Sequence, residues 1–214
     1  FKDWDAIHDD MERFVARPSK HKLILVPRGH LKSSIITCGY AIQRILRNPN
    51  ERILIANQVW DKARDILSEI KGFLNNKSEL PHIFGPFVSD RWREDDIVIR
   101  QRTTSNKTPT IATAGVESEQ TSAHYTVIFN DDLQGHQNSQ TKEQREKVKR
   151  YRESEFDLLD PGCEMLDIGT RYHLDDVYSH ILETEEEFTD VMIRKVVENG
   201  KLIFPKKFSI CLLY

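Results

Sequence analysis

Short apolar runs alternate with longer amphipathic stretches along this chain, and that alternation restricts it to an α/β fold built on a mainly parallel central sheet flanked by helices. The runs expected as strands are 22–26, 52–56, 97–100, 110–114, 125–129, 164–169 and 191–197, and helical patterns cover 33–46, 59–75, 141–159 and 175–183. A chain of 214 residues with 38% hydrophobic residues can bury one sizeable core with a small appended lobe. Residues 1–180 are therefore expected to form the core domain and 181–214 a small C-terminal lobe. The interval 76–106, with Pro81, Gly85, Pro86 and many charges, reads as an irregular functional loop or insertion.

Charge and cysteine content exclude several classes. The net charge is -3, so no global field draws the chain to a polyanion, and any nucleic-acid contact must come from a local patch. Cys38, Cys163 and Cys211 are far apart and form no C-x-x-C pair, so reduced thiols and no zinc site are expected. No apolar run approaches the roughly 18–20 residues of a membrane span, and no signal peptide is visible. A soluble intracellular protein is expected. The first residue is Phe1, and the last, 210–214, carry no terminating signal, so a piece of a longer polypeptide is expected.

Three motifs carry chemistry. The first is Leu25-Val26-Pro27-Arg28-Gly29-His30-Leu31-Lys32-Ser33-Ser34, a strand end, a turn and a helix start closed by a Lys-Ser pair. A phosphate loop of the G-x-x-x-x-G-K-[ST] type cradles a triphosphate with backbone N–H groups, lysine and a magnesium-ligating hydroxyl. Here Val26 and Leu31 stand at the two glycine positions. The helix that follows offers an N-terminus suited to an anion, although a basic surface turn has the same local pattern.

The second motif is the apolar strand 125–129 running into Asn130-Asp131-Asp132. Triphosphate hydrolysis needs one carboxylate behind Mg²⁺ and another group to orient the attacking water. Asp131 suits the first role and Asp132 the second; Glu143 on the next helix is the other candidate for the water, and an Asx turn is the simpler reading of the pair. The third motif, Gly169-Thr170-Arg171, ends a strand before a helix marked by Asp175-Asp176. Its hydroxyl and guanidinium could sense a terminal phosphate, or it is an ordinary strand-to-helix turn. Lys142, Arg145, Lys147, Lys149, Arg150 and Arg152 give helix 141–159 a basic character that would serve sequence-blind DNA contacts, but Glu143, Glu146 and Glu153 are interleaved.

In order and spacing these motifs resemble the ATPase domain of the large terminase subunit of tailed bacteriophages, a likeness that covers most of the chain. In that family the phosphate loop (Walker A) is a variant with arginine four residues before the lysine. The resemblance implies a P-loop NTPase fold of the additional-strand type, hydrolysis of ATP with Mg²⁺, and translocation of double-stranded DNA into a procapsid. It also implies a homo-oligomeric ring, a pentamer, at the portal, a small terminase subunit as partner, and assembly in the host cell cytoplasm. Residue by residue, it makes Pro27 to Ser34 the nucleotide-binding loop, with Arg28 and Lys32 on phosphate, and Ser33 and Asp131 the Mg²⁺ ligands of Walker A and Walker B. Asp132 would orient water, and Gly169, Thr170 and Arg171 would couple hydrolysis to motion. A neighbouring subunit would add an arginine finger, for which Arg91 is the choice from Arg91, Arg93, Arg100 and Arg102. Residues 201–209 resemble the approach to a C-terminal nuclease domain outside this sequence, so cleavage is not expected. Trp4, Ile7 and His8 lie upstream of the loop, where adenine could bind. A helicase-type remodelling ATPase is the alternative, and a non-hydrolysing nucleotide-binding or assembly scaffold the third reading.

Overall fold

In the computed structural model, which describes residues 4–118 and 123–209, a seven-stranded sheet lies between two layers of helices. Helix α1 (Ala6–Val15) opens the chain. The Asp5 carboxylate caps its N-terminus while His8 accepts from the Asp5 backbone N–H, a reciprocal pair that satisfies two orphan donors. Strand β1 (His21–Leu25) enters the sheet at once. A π-helical segment, Ser33–Tyr40, continues into α2 (Ala41–Arg47). Then follow β2 (Ile53–Asn57), α3 (Trp60–Leu74), the short α4 (Glu79–Phe84), β3 (Asp96–Ile97) and β4 (Ile111–Gly115). The second half holds β5 (Tyr125–Asp131), α5 (Lys142–Ser154), β6 (Leu159–Gly169), α6 (Val177–Thr184) and β7 (Thr189–Ile193). A hairpin of β8 (Val197–Glu198) and β9 (Lys201–Leu202) turns through Asn199 and Gly200, both at positive φ, as a tight two-residue hairpin turn requires.

The sheet order is β3-β4-β2-β5-β6-β1-β7, parallel throughout except for antiparallel β3. Successive side chains of a strand face opposite sides, and the core divides accordingly. Ile24, Ile53, Ile55 and Phe129 pack with α1, the π segment, α2 and α3, whereas Leu23, Leu25, Leu54 and Ile128 pack with α5 and α6.

Each run expected as a strand contributes to the sheet, but several boundaries move. The strand expected at 97–100 is two residues long, because Val98, Arg100 and Arg102 turn their N–H groups to loop carbonyls. The helix expected to reach 159 stops at Ser154, passes through a 3₁₀ turn (Glu155–Leu158) and yields to β6 at Leu159. Pro161 bars a helix from running on through Asp160, since proline disfavours helical backbone in the residue before it and cannot donate within a helix. Helix α1 was not expected, although Ile7, Met11, Phe14 and Val15 form its buried stripe. The interval 76–106 contains α4 and β3 rather than loop alone. The sheet also runs past residue 180, where a separate lobe was expected to begin, because β7 pairs with β1 from His21↔Thr189 to Leu25↔Ile193.

Cys38 and Cys163 are free, and burial pushes the Cys38 thiol pKa up. Cys211, Phe1 and the run 210–214 lie outside the described residues. Among the described residues no helix is long and apolar enough to cross a membrane.

Candidate functional site

Parallel strands point their C-terminal ends the same way, so the loops leaving neighbouring β1, β5 and β6 share one rim of the sheet. All three sequence motifs end there. The first loop leaves β1 through Val26, whose N–H bonds the Gly169 carbonyl at 3.3 Å. Gly29 has φ 79° and Leu31 φ 60°. Leu31 thus takes the left-handed conformation that glycine adopts freely. Inside the loop, buried His30 braces the turn with Nδ1 at 3.1 Å from the Pro27 carbonyl and 3.0 Å from that of Arg28. Burial holds its imidazole below the usual histidine range.

The hydrogen bond that opens the helix runs from Ile35 N–H to the Leu31 carbonyl at 3.0 Å. Lys32, only 6% exposed, donates from Nζ to Thr170 Oγ1 at 2.9 Å, and the Thr170 hydroxyl donates to the Val26 carbonyl at 3.3 Å. Ser33 Oγ donates to Asp131 Oδ1 at 3.0 Å. The π winding brings Thr37 to the same side, where Oγ1 donates to Asp131 Oδ2 at 2.6 Å. Asn57, at the end of β2, donates from Nδ2 to the Asp131 backbone carbonyl at 2.5 Å. Sequence reasoning missed Thr37 and Asn57. For Thr37 the signal was its place one helical turn after Ser33.

Burial dominates the electrostatics. It pushes the Asp131 carboxyl up, the adjacent Asp132 charge adds to this, and Thr37, Ser33 and Lys32 oppose it, leaving a pKa of about 6. Burial likewise raises Asp132, against the pull of Lys32 and Arg28. Asp132 sits at φ 53°, with its N–H on the Ile168 carbonyl at 2.8 Å and its carbonyl accepting from Gln58 N–H at 3.2 Å. Pro27 and Ser34 are half-buried and Arg28 is exposed at the rim. Chemically this is a positive helix terminus and a buried lysine facing a pair of desolvated carboxylates, a setting able to receive an anion and a hard cation together. Among the described residues no three His, Cys, Asp or Glu side chains gather around a point. Ser33 and Asp131 alone would hold a cation here, with the ligand supplying further oxygens, as is usual for Mg²⁺ with phosphates.

Other sequence candidates stand elsewhere. Arg91 forks onto Asp96, with Nε at 2.6 Å and Nη2 at 2.9 Å, beside β3 at the opposite end of the sheet from β1. Glu143 is exposed in the first turn of α5. Arg171 donates to Ser179 Oγ and lies 3.7 Å from Asp176. The basic helix spends most of its charge within the fold: Arg145 and Lys149 both reach Asp175, Lys147 reaches Glu117, and fully buried Arg152 pairs with Asp167 and Glu185. Lys142 and Arg150 stay exposed. A groove of about 260 Å³ between α1 and the π segment is lined by Trp4, Ser34, Ile35, Tyr40 and Gln43 among others. Ile7 and His8 are buried, His8 against Phe204.

No protein-family model matches this chain, and no curated protein matches it significantly.

Proposed function

We propose that the chain is the ATP-hydrolysing motor domain of a viral genome-packaging terminase, a P-loop ATPase of the additional-strand type that drives double-stranded DNA into a procapsid. The observation that carries this reading is the linked set Val26–Thr170–Lys32 and Thr37–Asp131–Ser33 at one sheet rim, with β6 lying between the phosphate-loop strand β1 and the carboxylate strand β5. Lys32 exchanges Thr170 for the β/γ-phosphates, helped by Arg28 and the N–H groups of the loop. Ser33 and Asp131 would hold Mg²⁺, which would neutralise charge on the phosphate oxygens. Asp132 orients water. The exchange at Lys32 frees Thr170, and with it the loop leading to α6, so the presence of phosphate changes what that loop is tied to. The groove beside Trp4 and Ser34 is the place for the base. The pentameric ring, portal, small subunit and host-cytoplasm setting belong to the same proposal. An in-trans arginine from Arg91 would require its release from Asp96.

Turnover and nucleotide affinity of the purified chain test the proposal. With MgATP, Lys32→Ala should lower turnover by about 100-fold or more, the scale of losing a preorganised charge contact in a water-poor site. Equal rates in the two proteins, or nucleotide cross-linking outside residues 27–34 and the groove, would refute it.

A further inference from the structure

The inference below rests on the nucleotide reading of the site. We infer that Tyr178 is a positioning residue for Asp132, its hydroxyl donating to the Asp132 carboxylate when nucleotide is bound and so tying α6 to the group that orients water.

Tyr178 is 1% exposed on α6. Its hydroxyl oxygen is buried and has no hydrogen-bond partner among the described residues, and the same holds for Asp132 Oδ1. Two orphaned atoms of complementary chemistry, one donor and one acceptor, thus belong to residues that both meet the end of β6. Asp132 N–H bonds the Ile168 carbonyl, and the next residue, Gly169, lies so close to the Tyr178 hydroxyl that a Cβ there would overlap it. Burial raises the Tyr178 phenol far above its ordinary range, and Asp132 leads the charges that add to this, ahead of Asp167 and Asp176. Against these charges the Gln134 backbone N–H acts on the oxygen as a donor. In that contact the oxygen accepts, which leaves the hydroxyl proton for the carboxylate.

Stability alone does not account for the hydroxyl. A buried, unpaired O–H is destabilising, and phenylalanine would fill the same space without that cost. Helix α6 is also well placed for such a tie, because a single loop joins Thr170, the partner of Lys32, to the α6 N-cap Asp176.

The test compares the purified chain with Tyr178→Phe, Asp132→Asn and the double variant. It reads melting temperature, affinity for Mg²⁺–ADP, affinity for its aluminium fluoride complex, and turnover. Tyr178→Phe should melt at the same or a higher temperature and bind ADP normally. It should bind the aluminium fluoride complex about tenfold more weakly, the worth of one hydrogen bond to a charged group, and turnover should fall to match. In the Asp132→Asn background the same substitution should change neither. A wild-type preference for the aluminium fluoride complex that Tyr178→Phe leaves intact would overturn the role of Tyr178 alone. So would a loss that falls equally on ADP or persists in the Asp132→Asn background. A wild-type chain that binds neither ligand would refute the nucleotide reading and this inference with it.

Discussion

Leu31 holds a left-handed backbone at φ 60°, a conformation that costs a side-chain-bearing residue roughly 1–2 kcal/mol. The loop tolerates this because Leu31 packs against the core formed by α1 and the π segment. The sequence has leucine at this position, whereas the backbone takes the left-handed conformation that glycine favours. Two truncations separate packing from strain, since Leu31→Ala and Leu31→Gly lose nearly the same side chain. By urea unfolding, Leu31→Gly should be more stable than Leu31→Ala by about 1 kcal/mol, reversing the usual order. The usual order would show that Leu31 is unstrained. Thr37 teaches a related lesson at this scale. Its β-branched hydroxyl reads as an ordinary helix residue in sequence, yet it holds one oxygen of the buried Asp131 at 2.6 Å.

Helix α5 looks from its composition like a cationic surface element, and packing makes it a structural one. Arg152 is fully buried between Asp167 and Glu185, and Asp167 also accepts from Asn130, the residue before Asp131. The 3₁₀ turn after α5 adds Glu155, which burial and the nearby Asp167 charge push up to about 8 against the pull of Asn130, Arg152 and Tyr151. Because this folded-state pKa lies above the unfolded value of 4.5, Glu155 favours the fold fully only below about pH 4.5. It withdraws that contribution as pH rises through 8. Glu155→Gln should therefore leave stability nearly unchanged at pH 5 and raise it by about 1–3 kcal/mol at pH 8.5, measured by urea unfolding at both values. A difference that did not grow with pH would mean that Glu155 is already ionised in the native protein.

Across the whole molecule, the last described residues return to the first chemical motif. Phe208 stacks on His30 at 5.0 Å with an interplanar angle of 23°, and Lys207 Nζ donates to the Gly29 carbonyl at 2.8 Å. Phe204 packs edge-on against His8, while Arg194 joins the β7 end to Asp10 of α1 at 2.6 Å. A Cβ on Gly29 would stand 2.9 Å from the Phe208 ring, so any larger residue there would displace that ring. This contact restrains the 28–31 turn from outside as His30 braces it from within. Phe208→Ala should speed hydrogen exchange of the 28–31 amides by about tenfold, with core strands β1 and β5 unaffected, because it releases a local opening rather than the global one. Unchanged exchange in 28–31 would show that the segment merely lies against the loop.

Local patterning by itself settled the α/β class, the runs that became strands and the three motifs at strand ends, because hydrophobic period and turn chemistry are carried by neighbouring residues. It also pointed to Lys32, Ser33, Asp131 and Thr170, which the fold brings into direct contact in pairs. Only the tertiary structure decided that Lys32 meets Thr170, 138 residues away, and that Thr37 shares Asp131 with Ser33. It likewise decided that Arg91 is held by Asp96, that α5 turns its charge inward, and that Phe208 closes on His30. Those outcomes depend on strand order, on register and on which charges lose their water. Apart from the Arg91–Asp96 fork, which joins residues of one short segment, they are properties of surfaces that come together only when distant segments pack.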